Sequence, residues 1–551
     1  MKPLPARDED NTAAMLAQTD TPSSNPTGSR VVRFLHWLIV AGVLGLVVSA
    51  ASALTWPGEE AWALLLVPAL FLWVLWLYWR TLMGQVHMPG HLFYPFLAAP
   101  ILILLGHLVH QDPIAPGRVG MVIAGDMSIL LRLMALALMV LLVQDVLSRL
   151  RHLRWLLTGA AVALAAGSTM RLHGWPESSG SLAVALIGLS GSGMLVAPLL
   201  IPRLEGSPWI LTADDAARAW WLPHAERIAR VCGAALAAVL ICARQPKAAA
   251  IAAAVAGAVM LTGGGLLRGQ RLRLMPAGAI LAAGGFIGLH RLGMWLPAER
   301  LATGLFGVVE PEALAAAADM GGLPLLLATT GYVGGAMLAI GLAAAVVYYL
   351  AACRRAARGD QVRAVVWSVT TGICQVALLV SGGLSVPAVA AAAALTLGLT
   401  PHILAVRARS IGGWPVALAF AALMFAVGME QGLGGRIMGL IARRHGDAVV
   451  HFGGALVLTV VLFWQFRARQ WWAGLICASL VCLALVAGEW VQDHFTASRS
   501  FENSDAAADA LGAGAALAIL LALDLAVWLE RKWDRRPGRI ARERYEIHPV
   551  G

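Results

Sequence analysis

Residues 34–54 read FLHWLIVAGVLGLVVSAASAL, a run without a single Asp, Glu, Lys or Arg. A helix rises 1.5 Å per residue, so this run reaches about 30 Å, the thickness of a bilayer's hydrocarbon core. Lipid offers no water to backbone N–H and C=O groups, so an apolar run of this length must be helical. It is too long for the apolar region of a signal peptide and has no cleavage site. The residues before it, 1–29, are rich in Thr, Ser, Asn, Pro and Asp and read as a disordered cytoplasmic segment.

Comparable runs recur along the chain. Of 551 residues, 59% are hydrophobic and only 13% charged, where soluble proteins carry about 25% charged residues. The mean hydropathy is +0.74. Roughly sixteen spans satisfy the length criterion. They begin near Arg33, Ala61, His91, Gly120, Trp155, Ser181, Val231, Ala248, Leu274, Leu325, Ala364, Val386, Gly413, Ala448, Gln470 and Ala506. The seventh, Val231 to Ala243, is short, and the ninth carries His290 and Arg291. The expectation is an all-α, polytopic integral membrane protein of the bacterial inner membrane.

The formal net charge of +10 is not a nucleic-acid signal. The basic residues sit in clusters between apolar runs and set orientation instead. Arg149, Arg151 and Arg154 follow the fourth span. Arg268, Arg271 and Arg273 follow the eighth, and Arg354, Arg355, Arg358 and Arg363 the tenth. Arg407 and Arg409, then Arg467 and Arg469, mark later junctions of the same parity. With these clusters and the basic tail 531–551 inside, sixteen spans put both termini in the cytoplasm. The chain divides into a module of about twelve spans over residues 30–410 and a four-span module over 411–530.

The six cysteines lie in or beside apolar runs and form no CxxC. They read as small apolar residues, with no disulfide framework and no zinc site. Gly263, Gly264 and Gly265 lie inside a span with no preceding strand, so they signal tight packing or a break, not a phosphate loop.

From about Gly413 onward the polar residues take on a pattern. Asp447 and His451 are four apart and share a helix face, and Phe452 follows. Glu489 and Gln492 end the fifteenth span. Arg499 and Ser500 come next, and then Asp505, Asp509 and Gly512 line one stripe of the sixteenth. Ionisable residues in a span are costly and point by default to function. A plainer reading also stands, with Asp447 and Asp505 as N-caps and Glu489 with Arg499 as an interfacial ion pair.

This ordered set resembles the VanZ-like family of small membrane domains. That family has four spans, an Asp-x-x-x-His-Phe entering the second, a Glu-x-x-Gln ending the third, and an Arg-Ser before an Asp-x-x-x-Asn-x-x-Gly in the fourth. The matching residues are Asp447, His451 and Phe452; Glu489 and Gln492; Arg499 and Ser500; and Asp505 and Gly512. Asp509 departs from the family's Asn. The resemblance covers about residues 413–530. It implies a cell-envelope role linked to glycopeptide antibiotic resistance and names no reaction.

Arg436, Arg443, Arg444 and Arg499 fall in loops on the periplasmic side, against the positive-inside bias. Arg suits bidentate phosphate contacts. The partners expected are therefore membrane lipids, with a lipid phosphate or a polyprenyl-phosphate-linked glycan as ligand. A solvated basic loop over anionic headgroups is the alternative.

The first module is similar, over residues 30–405, to the O-antigen ligase and polymerase membrane proteins. The similarity rests on Arg291, Arg300, Leu305-Phe306-Gly307, Leu325-Leu326-Leu327 and Gly331-Tyr332-Val333-Gly334. Met320, beside Asp319, stands where that family's motif carries His, and Thr329 where it carries Glu. Arg291, Arg300, Glu310 and Glu312 are the remaining polar candidates. His36, His107, His110 and His173 near helix ends read as interfacial residues. Asp126 and Arg132, six apart, face different neighbours.

The functional expectation is binding or processing of lipid-linked glycan or lipid phosphate at the periplasmic face. The alternatives are a ligase- or polymerase-type glycan transferase and a lipid or small-molecule transporter or flippase. No nucleotide-binding, haem-ligand or metal-ligand spacing is present, so no cofactor is expected.

Overall fold

Apolar runs set the helices, which continue through prolines such as Pro68, Pro276 and Pro401 and through many glycines. The structure is a computed structural model that describes residues 29–52, 59–82, 87–89, 133, 136–146, 153–174, 181–196, 222–267, 270–292, 322–355, 358–380, 383, 386–404, 410–412, 448–466, 471–495 and 503–534. The expected spans near His91 and Gly413 lie outside these residues, as do Asp126, Arg132, His107 and His110.

The described chain is almost entirely helical. In order come α1 (Arg30–Ser52), α2 (Glu59–Leu82), α3 (Leu136–Val146), α4 (Leu153–Gly174), α5 (Ser181–Val196), α6 (Leu222–Arg244), α7 (Pro246–Leu266) and α8 (Arg271–Arg291). Then follow α9 (Gly322–Ala352), α10 (Arg358–Leu379), α11 (Pro387–Ile403), α12 (Ala448–Phe466), α13 (Trp471–Phe495) and α14 (Asn503–Asp534). Two short strands qualify the all-helical expectation. β1 (His87–Pro89) pairs antiparallel with β2 (Ser410–Gly412), with Met88 opposite Ile411. Each strand is only three residues long and lies between helices.

Among the described residues, five helical stretches are long and apolar enough to cross a membrane: Pro246–Leu266, Arg271–Arg291, Gln361–Leu379, Trp472–Trp490 and Asn503–Glu530. Their outer faces carry large apolar side chains, including Leu272, Ile280, Leu480, Leu483, Leu511 and Leu525. Water would not tolerate such a surface on a soluble protein. Lipid does, and the chain is a membrane protein. On α13, exposed Trp472 and Trp490 stand eighteen residues apart. That is about 27 Å of helix, close to the roughly 30 Å hydrocarbon thickness.

The first module is built around α5, whose residues Ala183–Ser192 are buried on every side. Small residues let its neighbours approach. A Cβ on Gly191 would collide with the α4 backbone at Ala161 and Ala165, and one on Gly193 with Thr370 of α10. Ser190 Oγ donates to the Thr370 carbonyl at 3.0 Å, and Trp367 Nε1 donates to Thr400 Oγ1 at 2.8 Å, tying α10 to α5 and α11.

Pro246 starts α7 immediately after Gln245 breaks the helix, and α7 folds back on α8. Gly257 faces the Ala282 backbone, Gly278 faces Leu261, and Gly285 faces Ala254, so the two backbones nearly touch. In lipid, close van der Waals packing of small residues replaces the hydrophobic effect as the force between helices. Of the glycine run, Gly264 packs on Met275 of α8 and Gly263 is buried against Val365 and Leu274, while Gly265 is open.

Three local expectations change. The helix containing the short seventh run extends from Leu222 to Arg244, because Glu226, Arg227 and Arg230 interrupt the hydropathy but not the helix. His290 and Arg291 fall in the last turn of α8, where positive charge complements the helix dipole. Ser29, the last residue of the segment expected to be disordered, is buried and hydrogen-bonded.

The carboxy-terminal helices α12, α13 and α14 pack on one another, α12 also packs on α2, and α14 on α1. Tyr78 of α2 donates to the Ala516 carbonyl of α14 at 2.8 Å, and Trp76 lies 6.2 Å from Trp464 of α12.

Candidate functional site

Three helices converge on His451. It lies one turn into α12, Glu489 lies near the end of α13, and Asp505 and Asp509 lie in the first two turns of α14. The α14 pair is four apart and so points to one side of the helix. The α12–α14 approach that makes this possible depends on Gly512, where a Cβ would overlap the Phe452 carbonyl. Phe452 and Gly512 thus serve the site through the backbone contact between them.

The imidazole is surrounded by acceptors. Nδ1 lies 3.3 Å from Asp509 Oδ1. Against an ionised carboxylate, which only accepts, Nδ1 is the donor of this contact. Nε2 faces the other way, 3.6 Å from Glu489 Oε1 and 3.7 Å from Asp505 Oδ2. All four side chains are largely buried, and Asp509 is only 1% exposed. Trp490, next to Glu489, is exposed on the outer face of α13. In these four groups acids outnumber the base three to one, and carboxyl and imidazole groups are the donor types that take up protons or cations.

Of the other residues singled out in the carboxy-terminal sequence, Gln492 lies in the last turn of α13 with only its backbone described. Asp447, Arg436, Arg443, Arg444 and Arg499 lie outside the described residues. In the first module, Arg291 is exposed at the end of α8, away from any described acidic cluster, and Arg300, Glu310, Glu312, Asp319 and Met320 lie outside the described residues. His173 is exposed in the last turn of α4, while His36 stacks on Trp79 at 5.3 Å.

One polar centre escaped the sequence reading. Arg80, in the last turn of α2, pairs with Asp145 of α3 at 2.9 Å, and both are buried. Trp76 Nε1 donates to the other carboxylate oxygen at 2.8 Å, and the guanidinium lies 5.3 Å above the Trp76 ring. The signal was present as lone charges within the apolar stretches WVLWLYWRTL and ALMVLLVQDV. Sixty-five positions separate them, and no local spacing joins them.

The expectation of no metal ligands rested on short spacings. His451, Glu489 and Asp505 nonetheless offer one ligand atom each, all within 4.8 Å of one another. Each comes from a different helix, which is why no motif announced the group. Comparison of the chain with protein-family models, curated proteins and solved structures finds no match.

Proposed function

We propose that the chain is an envelope protein of the bacterial inner membrane whose VanZ-like carboxy-terminal module binds or processes a lipid phosphate or lipid-linked glycan at the periplasmic face. The observation that carries this reading is the convergence of His451, Glu489, Asp505 and Asp509 from three helices. Four ionisable groups in a membrane protein's interior are costly, and function is the ordinary reason such a cost persists. In this reading Arg436, Arg443, Arg444 and Arg499 contact the anion, and the His451 cluster supplies acid, base or cation chemistry beside it.

The topology that goes with it has sixteen spans and both termini in the cytoplasm. Two contacts support the parity. Glu530 near the end of α14 caps the start of α1, which needs both ends at one face. The β1–β2 pair joins two loops that the charge clusters assign to the same side.

The test is mass spectrometry of polyprenyl-phosphate-linked lipids and surface glycans in a deletion strain and in strains carrying Glu489→Ala or Arg300→Ala. Altered lipid phosphates or antibiotic tolerance on loss of Glu489, with Arg300→Ala silent, supports the carboxy-terminal site. Accumulated lipid-linked glycan and shortened polymer with Arg300→Ala would instead favour a ligase- or polymerase-type enzyme. A lipid and glycan profile unchanged in every strain defeats both.

A further inference from the structure

The Nε2 contacts of His451, at 3.6 and 3.7 Å, are too long for hydrogen bonds. They fit a different arrangement. A tetrahedral ion with bonds of about 2.1 Å sets its ligand atoms about 3.4 Å apart. Three ligand atoms all within 4.8 Å of one another put the centre of their triangle at most about 2.8 Å from each. Shifts of less than an ångström would bring all three to bonding distance.

The far side of the imidazole carries an independent indication. Asp509 is 1% exposed, is directed at Nδ1, and its second carboxylate oxygen has no hydrogen-bond partner among the described residues. A buried carboxylate with one imidazole as its described partner is poorly compensated. A cation on Nε2 changes that, because it polarises the ring, strengthens the Nδ1–H donor and supplies positive charge to the pair. Carboxylate, imidazole and metal in line is the arrangement by which proteins fix a ligating histidine's tautomer and raise its basicity. Two ligating carboxylates also match the charge of a divalent ion.

We infer that His451, Glu489 and Asp505 form a three-ligand site for a divalent transition-metal ion, zinc above all, and that Asp509 orients His451 from behind. One nitrogen and two carboxylate oxygens suit zinc, and three protein ligands leave a fourth position for water or a substrate oxygen. That open position would let an acidic cluster engage a phosphate. This step deepens the proposed envelope role and rests on it only for the choice of substrate. The metal site itself is read without any lipid.

The experiment uses the full-length protein in detergent micelles, stripped with chelator, dialysed against zinc and assayed by elemental analysis and by competition with a chromogenic chelator. One zinc per chain is expected. Glu489→Gln and Asp505→Asn should weaken binding at least 100-fold. Asp509→Asn should weaken it about 10- to 100-fold while one equivalent still binds at saturation. Size-exclusion profiles and thermal unfolding check that each variant is folded. Glu489→Asp keeps a carboxylate and should retain one equivalent at lower affinity, a second arm if Glu489→Gln fails to fold. Less than half an equivalent in the wild type, unchanged affinity in Glu489→Gln, or preference for magnesium over zinc would overturn the inference. A chain that binds no zinc yet needs Glu489 for its lipid profile would end the metal site and leave the envelope role standing. Zinc binding with an unchanged lipid profile would do the reverse.

Discussion

Glu530 accepts a 2.5 Å hydrogen bond from Ser29 Oγ across a separation of 501 residues. The same carboxylate accepts from the backbone N–H groups of Arg30 and Val31, while Ser29 Oγ accepts from Val32 N at 3.4 Å. The first turn of the first helix is therefore capped jointly by its own serine and by the last helix. Both a side-chain oxygen and a negative charge are favourable at a helix N-terminus.

Removing this cap should loosen both ends together. Glu530→Ala is expected to cost about 1 kcal/mol, as cap losses do, and to fray the first turn of α1. Ser29→Ala should cost a similar amount. A double-mutant cycle followed by thermal unfolding should show coupling of about 0.5 kcal/mol or more between the two. Strict additivity would mean that the two ends do not meet.

The Arg80–Asp145 pair predicts an asymmetric response. Arg80→Ala leaves a buried carboxylate without its guanidinium and should destabilise by about 3–5 kcal/mol. Replacing both, as Arg80→Met with Asp145→Leu, should recover much of that loss, because apolar side chains of similar size pack there without a charge to desolvate. Thermal unfolding in detergent distinguishes the cases. A double variant as unstable as the single one would show that the pair does more than neutralise itself.

Adjacent glycines in α8 should behave in opposite ways. A Cβ on Gly285 meets the Ala254 backbone, whereas one on Gly284 meets nothing within 4 Å. Gly285→Ala should therefore cost about 1–3 kcal/mol by overpacking the α7–α8 contact. Gly284→Ala should stabilise by about 0.5–1 kcal/mol through better helix propensity. Thermal unfolding of the two variants side by side is the check, and equal effects would contradict the helix pairing.

Gly512 offers the same comparison next to the His451 cluster. Gly512→Ala should push α14 from α12 at Phe452 and disturb His451–Asp509 contact, while Gly514→Ala, in open space, should leave it alone. The imidazole resonances of His451, followed by NMR of selectively labelled protein, should move in the first variant and not in the second.

The proposed sixteen-span topology makes its own prediction. Reporter fusions that fluoresce only in the cytoplasm should light up at both ends of the chain. A reporter placed after residue 498, between α13 and α14, should stay dark. A bright signal there would reverse the orientation of the whole carboxy-terminal module.

Much of this protein was legible without coordinates, for one reason. In lipid every backbone polar group must be satisfied within its own segment, so runs such as 34–54 dictate helices by length and hydropathy alone. Helical spacing also put Asp505 and Asp509 on one stripe, and polar side chains at span ends singled out His451 and Glu489. What periodicity could not reveal was which helices meet. The 3.6-residue repeat orders residues around one helix and is silent about its neighbours. Arg80 finding Asp145, Ser29 finding Glu530, and His451 lying between Glu489 and two aspartates are outcomes of packing. They depend on small residues such as Gly512, where the absence of a Cβ sets how closely two backbones approach. The sequence by itself determined that the chain is helical and lives in a membrane. Only the tertiary structure decided that one imidazole is held among three carboxylates, because that requires three helices to approach side by side.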